Sequence, residues 1–363
     1  MLTGWAAVLS VGADSFTWHS VRQTMEEGAL LLPFEVDASA AMNMHSRPLL
    51  EEDAGLASVH HRIRQLDPEG KRFAAVLRDT IDQLLNGEAT GRYAWEQLRQ
   101  TEKTHAGSMV EINLHREFDF ADGDATDYRI AGIEVDCKFS QKLGGWMIPP
   151  EAVGHVCLLV WANDSRSRWS AGLMRIQEQF LNVGKNRDRK LTIKAEHRKR
   201  IFWLWYNAPL PENVLLHLPA ETRDQILLQG VRQGQARVIQ LFEKVQNRKI
   251  GRGAVRTAAQ QLDYLARLRE GKGRARTVLR EKGILIVGPY GKHQDIAERI
   301  GAEVPGRGEF VSFRVCEAKP QHENRPCVEL GGKSWVLASP SDPEEPGPML
   351  PKITNADSEA VEF

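Results

Sequence analysis

The sequence predicts an α/β protein in which a mixed sheet is flanked by helices and a second, smaller α+β domain follows. Three patterns carry this expectation. Ile133, Val135, Cys137 and Phe139 alternate with Glu134, Asp136 and Lys138, the period of two that a strand shows when one side faces a core. Residues 155–162 (HVCLLVWA) form a nearly continuous apolar run, as in a strand buried on both faces at the centre of a sheet. After residue 206, Pro209, Pro211 and Pro219 interrupt any regular element, and helical periodicities then lead into short apolar runs.

Composition sets the bounds. A chain of 363 residues with 42% hydrophobic side chains has material for two cores. Lys plus Arg and Asp plus Glu both number 48, so net charge points to no polyanionic partner and only its distribution can. No apolar run approaches the roughly 20 residues of a membrane span, and no basic leader of a signal peptide follows Met1. Cys137, Cys157, Cys316 and Cys327 form no CxxC pair and have no histidines at zinc spacing, so they read as thiols of a reducing cytoplasm.

In chain order, residues 1–60 show weak periodicity and an acidic patch (Glu26, Glu27, Glu35, Asp37, Glu51, Glu52, Asp53), and are expected to form an N-terminal arm, disordered in part. A first domain is expected over residues 61–208. Ile63, Leu66, Phe73, Val76, Leu77, Ile81 and Leu84 recur at helical intervals, and Pro68-Glu69-Gly70 divides them into two helices. Asn86-Gly87 closes the second, and residues 93–101 begin another short one. Val110, Leu114 and Phe118 then predict a helix from residue 107, with Ser108 placed to cap its start and Glu111 on it. Residues 127–130 are joined to the strand at 133–139 by Ala131-Gly132, a small-residue link of the kind that closes a hairpin. Period two then sends Asp136 and Lys138 to the same open face, with Asp127 beside them on the neighbouring strand.

An Asp-x-Lys on the wet face of a strand is commonly a solvated pair. The second aspartate and the helical glutamate change its meaning. Hard carboxylate oxygens hold Mg2+, and a lysine beside them orients or deprotonates an attacking water, which is the chemistry of phosphodiester hydrolysis. A helical acid, then Asp127, Asp136 and Lys138, is the order of the PD-(D/E)xK nuclease core, although Thr126 stands where a proline usually precedes the first aspartate.

The run TEKTHAGSMVEINLHREF at residues 101–118, followed by Thr126-Asp127 and Val135-Asp136-Cys137-Lys138, resembles the NaeI family of type II restriction endonucleases, over about residues 72–315. The resemblance implies a PD-(D/E)xK restriction-endonuclease-like fold, metal-ligand roles for Glu111, Asp127 and Asp136, and the catalytic-lysine role for Lys138. It implies Mg2+ as cofactor, no nucleotide cofactor, and double-stranded DNA as substrate. Palindromic cutting asks for one centre per strand, hence a homodimer. The family also implies that a second recognition site, bound by the C-terminal domain, activates cutting at the first.

Several segments suit DNA contact. Residues 163–169 (NDSRSRW) place Arg166 and Arg168 in a polar loop that could enter a groove, or form a solvated hairpin. Residues 185–200 hold eight basic side chains against two acidic ones, a density natural for phosphate contact. The aromatic run at 201–206 reads as core. Residues 209–222 are expected to be a linker, and 223–335 a winged-helix DNA-binding domain. Its predicted elements are helices at 235–246, 253–268 and 274–282, a strand at 284–287, a helix at 293–300 and a last strand at 310–315. Between Gln235 and Ile300 fifteen Lys or Arg face six Asp or Glu, an excess confined to one domain of a neutral chain, as expected of a nucleic-acid binder. Arg248, Lys249, Arg252, Arg256, Arg274, Arg276 and Lys292 are its candidate contacts. Residues 336–363 read as a disordered acidic, proline-rich tail.

Two rivals remain at this level. A strand-nicking repair endonuclease of the same core would leave nicked rather than linear plasmid. A catalytically silent winged-helix regulator would have no reason to keep the full set of acids and lysine.

Overall fold

The computed structural model describes residues 39, 42, 43, 47–182, 190–227 and 234–353. Its first half opens with helices α1 (Arg47–Glu52), α2 (Ala54–Leu66), α3 (Lys71–Leu85) and α4 (Gly87–Thr90), then the long α5 (Gln100–Phe118). Strands β1 (Ala121–Asp122), β2 (Tyr128–Ile130), β3 (Ile133–Ser140), β4 (Val156–Asn163), β5 (Arg168–Arg175) and β6 (Phe202–Pro209) form one sheet in sequence order. β3 and β4 run parallel and the other pairs are antiparallel, so the sheet is mixed as expected. β4 divides its side chains between two cores. Val156, Leu158 and Val160 meet Val59, Ile63, Leu77 and Leu114 of α2, α3 and α5. Cys157, Leu159 and Trp161 meet Trp146, Ile148, Phe180 and Ile193 on the other side.

The break between α2 and α3 falls at Pro68-Glu69-Gly70 as predicted. Gly70 has φ +74°, and a Cβ there would stand 2.8 Å from the Trp205 ring, so both the turn and the packing require glycine. The hairpin link is also confirmed: Ala131 and Gly132 both have positive φ, the conformation of a tight two-residue turn between Ile130 and Ile133.

The N-terminal arm is shorter than expected. Residues 1–38, which carry most of its acidic patch, lie outside the described residues, as do 40, 41 and 44–46, but the described remainder packs with the first domain. Leu56 and Val59 are buried under the sheet. Asp53 caps α2 by accepting from Leu56 N (2.9 Å) and pairs with Arg175 of β5, an arginine that holds its carboxyl below the usual range. Asn43 exchanges hydrogen bonds with the Trp203 backbone (2.9 and 2.7 Å), and Ser39 accepts from Tyr206 N, so both cover the edge of β6. Asp53→Ala is expected to cost about 1 kcal/mol. Because the folded pKa is depressed, this contribution is present at neutral pH and lost as pH falls through it. Wild type and variant should therefore converge in thermal denaturation at acid pH.

The second half comprises α6 (Ala220–Leu227), α7 (Gly234–Lys244), β7 (Lys249–Gly251), α8 (Arg252–Ala259), α9 (Ala275–Arg280), β8 (Ile284–Val287), α10 (Gly291–Ile300), β9 (Glu309–Glu317), β10 (Cys327–Leu330) and β11 (Lys333–Leu337). β9 is central: Val311 pairs with Lys249 of β7 on one edge and with Val287 of β8 on the other. Three expectations need correction. The helix predicted over 253–268 stops at Ala259, because Gln260 turns left-handed (φ 45°), and Leu262, at helical spacing from Val255 and Ala259, is 84% exposed. The strand at 309–317 is not the last, since β10 and β11 extend the sheet. Residues 336 and 337 lie in β11, and 339–353 pack on this domain, with Asp342 buried among Ser339, His322 and Arg325. Residues 354–363 lie outside the described residues.

The expected linker is a packed seam. Val214 and Leu215 are fully buried in the second core, and Asn213 donates to Tyr93 O (2.8 Å). α8 lies against the first domain: Arg252 pairs with Asp79, Arg256 approaches Glu88 (3.9 Å), and a Cβ on Gly253 would stand 2.0 Å from the Asp82 carboxylate.

Candidate active site

α5, the β2–β3 hairpin and β4 converge on one cluster. The helix begins at Gln100, earlier than predicted. Arg99 is its N-cap residue, whose N–H donates to Glu102 (2.8 Å), so Ser108 is interior and caps nothing. Val110, Leu114 and Phe118 face the sheet as the periodicity required.

Lys138 is the centre of the cluster. Its Nζ donates to Asp136 Oδ1 (2.8 Å), to Asp127 Oδ2 (3.3 Å) and to the carbonyl of Cys137 (2.9 Å). Asp127 Oδ2 also accepts from Cys137 N (2.6 Å), which fixes the carboxylate across the hairpin. Asp136 and Lys138 do share a face, but that face is not open: Asp136 is 3% exposed because Cys157 of β4 lies beside it and Trp146 and Ile148 pack on the same side.

The electrostatics record the crowding. Burial raises the carboxyl of Asp136, and Asp127 adds to the shift while Lys138 opposes it. Burial, then Asp127, likewise raises Glu111. Burial alone would lower Lys138, but Asp136 and Asp127 outweigh it and its ammonium is held above the usual range. Three acids against one ammonium leave uncompensated negative charge on hard oxygen donors, and a divalent cation fits such a set. Lys138 stands between Asp127 and Asp136 and pairs with both. The trio of donor atoms that stand within 4.8 Å of one another among the described residues lies elsewhere, at Cys316, His322 and Asp342 of the second domain.

Glu134 is a site residue that sequence reasoning passed over. Its carboxylate accepts from the backbone N–H of Asp124, Ala125 and Thr126 (3.0–3.1 Å) and from the Thr126 hydroxyl (3.0 Å). These backbone bonds pull it down to about 2 and clamp the turn that presents Asp127. Thr126 is thereby anchored by a side-chain bond where proline would restrict the backbone. Alternation alone placed Glu134 on the polar face and carried no sign of this role.

The basic candidates are dispersed. Arg166 and Arg168 are exposed at the β4–β5 turn, while Asp164 of the same turn is buried against Arg78. Residues 183–189 lie outside the described residues; of the rest of that basic run, Arg198 donates to Gly144 O (3.1 Å) and Arg200 lies over the Phe180 ring. Arg252 and Arg256 face the first domain. Arg248 pairs with Glu212 (2.7 Å) and Lys249 with Glu309 (3.7 Å). Arg274 donates to Ala266 O and Arg276 to Ile286 O, and Lys292 is exposed on α10.

Comparison with known proteins identifies the family. The family model for restriction endonuclease NaeI matches residues 57–346. A type II restriction enzyme NaeI from Lentzea aerocolonigenes is 46% identical over 307 residues, which cover 83% of this chain and 96% of that protein. The match extends beyond the stretch at 72–315 that carries the resemblance by motif. The silent-regulator reading is thereby set aside, and the chain belongs to the NaeI family of type II restriction endonucleases, enzymes that cleave DNA at specific sites.

Proposed function

We propose that the protein is a Mg2+-dependent endonuclease that hydrolyses double-stranded DNA at its recognition site and leaves 5'-phosphate ends, with Glu111, Asp127 and Asp136 as metal ligands and Lys138 as the catalytic lysine. The observation that carries this reading is the single ammonium of Lys138 bonded to both Asp136 and Asp127. A bound Mg2+ supplies charge neutralisation at the scissile phosphate and lowers the pKa of a water. Glu111 and Asp136, whose carboxyls are raised by burial, must ionise to hold it. Lys138, hydrogen-bonded to two of these acids, is the group that would orient the water for in-line attack or deprotonate it.

The second domain is read as a winged helix that binds DNA. In its favour is the order α7, β7, α8, α9, β8, β9, with β9 between β7 and β8. It departs from the pattern by inserting α10 where a wing loop would connect β8 to β9. Homodimerisation, a second activating DNA site in this domain and a cytoplasmic location complete the reading. The four free thiols suit a reducing compartment. No helix among the described residues is long and apolar enough to cross a membrane.

Incubation with plasmid DNA and Mg2+, followed by sequencing of the ends, tests the whole. Linear product with 5'-phosphates at one recurring sequence is expected. Nicked circles alone would favour the strand-nicking reading, and sedimentation of the DNA complex in Ca2+ reports whether two copies bind.

A further inference from the structure

We propose that Tyr128 and Cys157 are positioning residues of the acid cluster: two buried donors that aim Glu111 and Asp136 without touching metal or DNA. The inference rests on the metal-site reading above and assigns it an inner layer.

Tyr128 is fully buried, with its ring packed near Phe120 and His115. Its hydroxyl donates to the backbone carbonyl of Glu111 (2.7 Å). The same residue follows Asp127 directly in the chain and pairs with Val135, the residue before Asp136. One side chain therefore ties the helix at Glu111 to the two strand segments that carry the other acids. Packing of Val110, Leu114 and Phe118 sets the face that α5 turns to the sheet, and the hydroxyl bond to the Glu111 carbonyl adds a direct tie at the level of Asp127.

Cys157 is also fully buried and is the register partner of Asp136 across the parallel β3–β4 pair. Its thiol donates to Asp136 Oδ2 (3.5 Å) while Lys138 takes Oδ1 (2.8 Å). With a partner on each oxygen, the plane of the carboxylate is held. Partners that orient metal-binding carboxylates in this way affect metal affinity by about 10–100-fold when removed. A thiol is a weak donor, so its share lies at the low end.

The test is Mn2+ binding by calorimetry, with Mg2+-dependent plasmid cleavage and thermal denaturation alongside. Tyr128→Phe keeps the ring and removes only the hydroxyl, and is expected to weaken Mn2+ binding about tenfold and to raise the Mg2+ needed for half-maximal cleavage, with the fold intact. Cys157→Ala is expected to act in the same direction, and Cys157→Ser, which restores a donor, to recover most of the loss. Wild-type Mn2+ affinity in both Tyr128→Phe and Cys157→Ala overturns the proposal, as does a Cys157→Ser variant no better than Cys157→Ala. Asp136→Ala is the control that separates the two levels. If it cuts plasmid like wild type, the metal-site reading itself fails. If it is inactive while Tyr128→Phe and Cys157→Ala bind Mn2+ normally, only the positioning roles fail.

Discussion

Lys138→Ala is expected to lower the rate of plasmid cleavage by about three orders of magnitude, the scale on which one preorganised donor to developing charge acts. The ammonium bonds to two of the three acids at once, so it belongs to the cluster rather than to the solvent. Its removal leaves Asp127 with Cys137 N and Asp136 with Cys157 Sγ, so both carboxylates keep a partner and the hairpin should keep its shape. DNA binding in Ca2+, measured by gel shift, is therefore expected to change little while the cleavage rate collapses. Two mutually repelling acids lose their shared cation, so metal affinity should fall moderately as well; cleavage at saturating Mg2+ separates the two effects. Lys138→Arg keeps the charge but not the compact geometry of a single Nζ within reach of both acids, and should recover little activity. Cleavage at wild-type rate by Lys138→Ala would remove the lysine from the mechanism.

What the sequence disclosed about this site, and what it withheld, follows from the range of the interactions. Period two along residues 133–139 and the turn at Ala131-Gly132 are local facts, and both the hairpin and the shared face of Asp136 and Lys138 were legible from them. The burial of Asp136 was not, because it depends on Cys157 of the parallel strand β4 and on Trp146 and Ile148 of the segment that leads to it. The clamp by Glu134 was hidden for a related reason. Three of its partners are backbone N–H groups, which leave no residue type behind as a signal. In the second domain a local apolar stripe misled: Leu262 fits the spacing of a helix that the left-handed Gln260 has already ended. The basic excess was correctly counted but not correctly spread. Composition registers Arg252 and Arg256 as free charge, whereas the seam between the domains engages Arg252 with Asp79 and brings Arg256 towards Glu88.

Arg78→Met is expected to destabilise the protein by about 3–5 kcal/mol, the cost of stranding a buried charge, and to lower the melting temperature by something on the order of 10 °C for a domain of this size. Arg78 lies inside the first domain between Asp82 one turn along α3 (2.8 Å) and Asp164 of the β4–β5 turn, both held by its guanidinium. The side chains of Arg78 and Asp164 are 9% and 2% exposed, so water cannot replace the lost partner. Without the arginine, two carboxylates face each other in a poor solvent. Burial already raises Asp82 above its usual range, and loss of the guanidinium must raise it further. A carboxyl whose folded pKa exceeds its unfolded one binds more protons in the native state, so the variant should gain stability relative to wild type as pH falls. Replacing all three polar partners at once, as Arg78→Met with Asp82→Leu and Asp164→Leu, removes the stranded charges and should recover much of the loss, since a well-packed apolar set is often no worse than a buried ion triad. Asp82 also stands against Gly253 of α8 at the seam, so the triple variant alters that contact as well. A melting temperature unchanged in Arg78→Met would mean that solvent reaches these carboxylates after all, and the view that this turn is anchored from within would have to be given up.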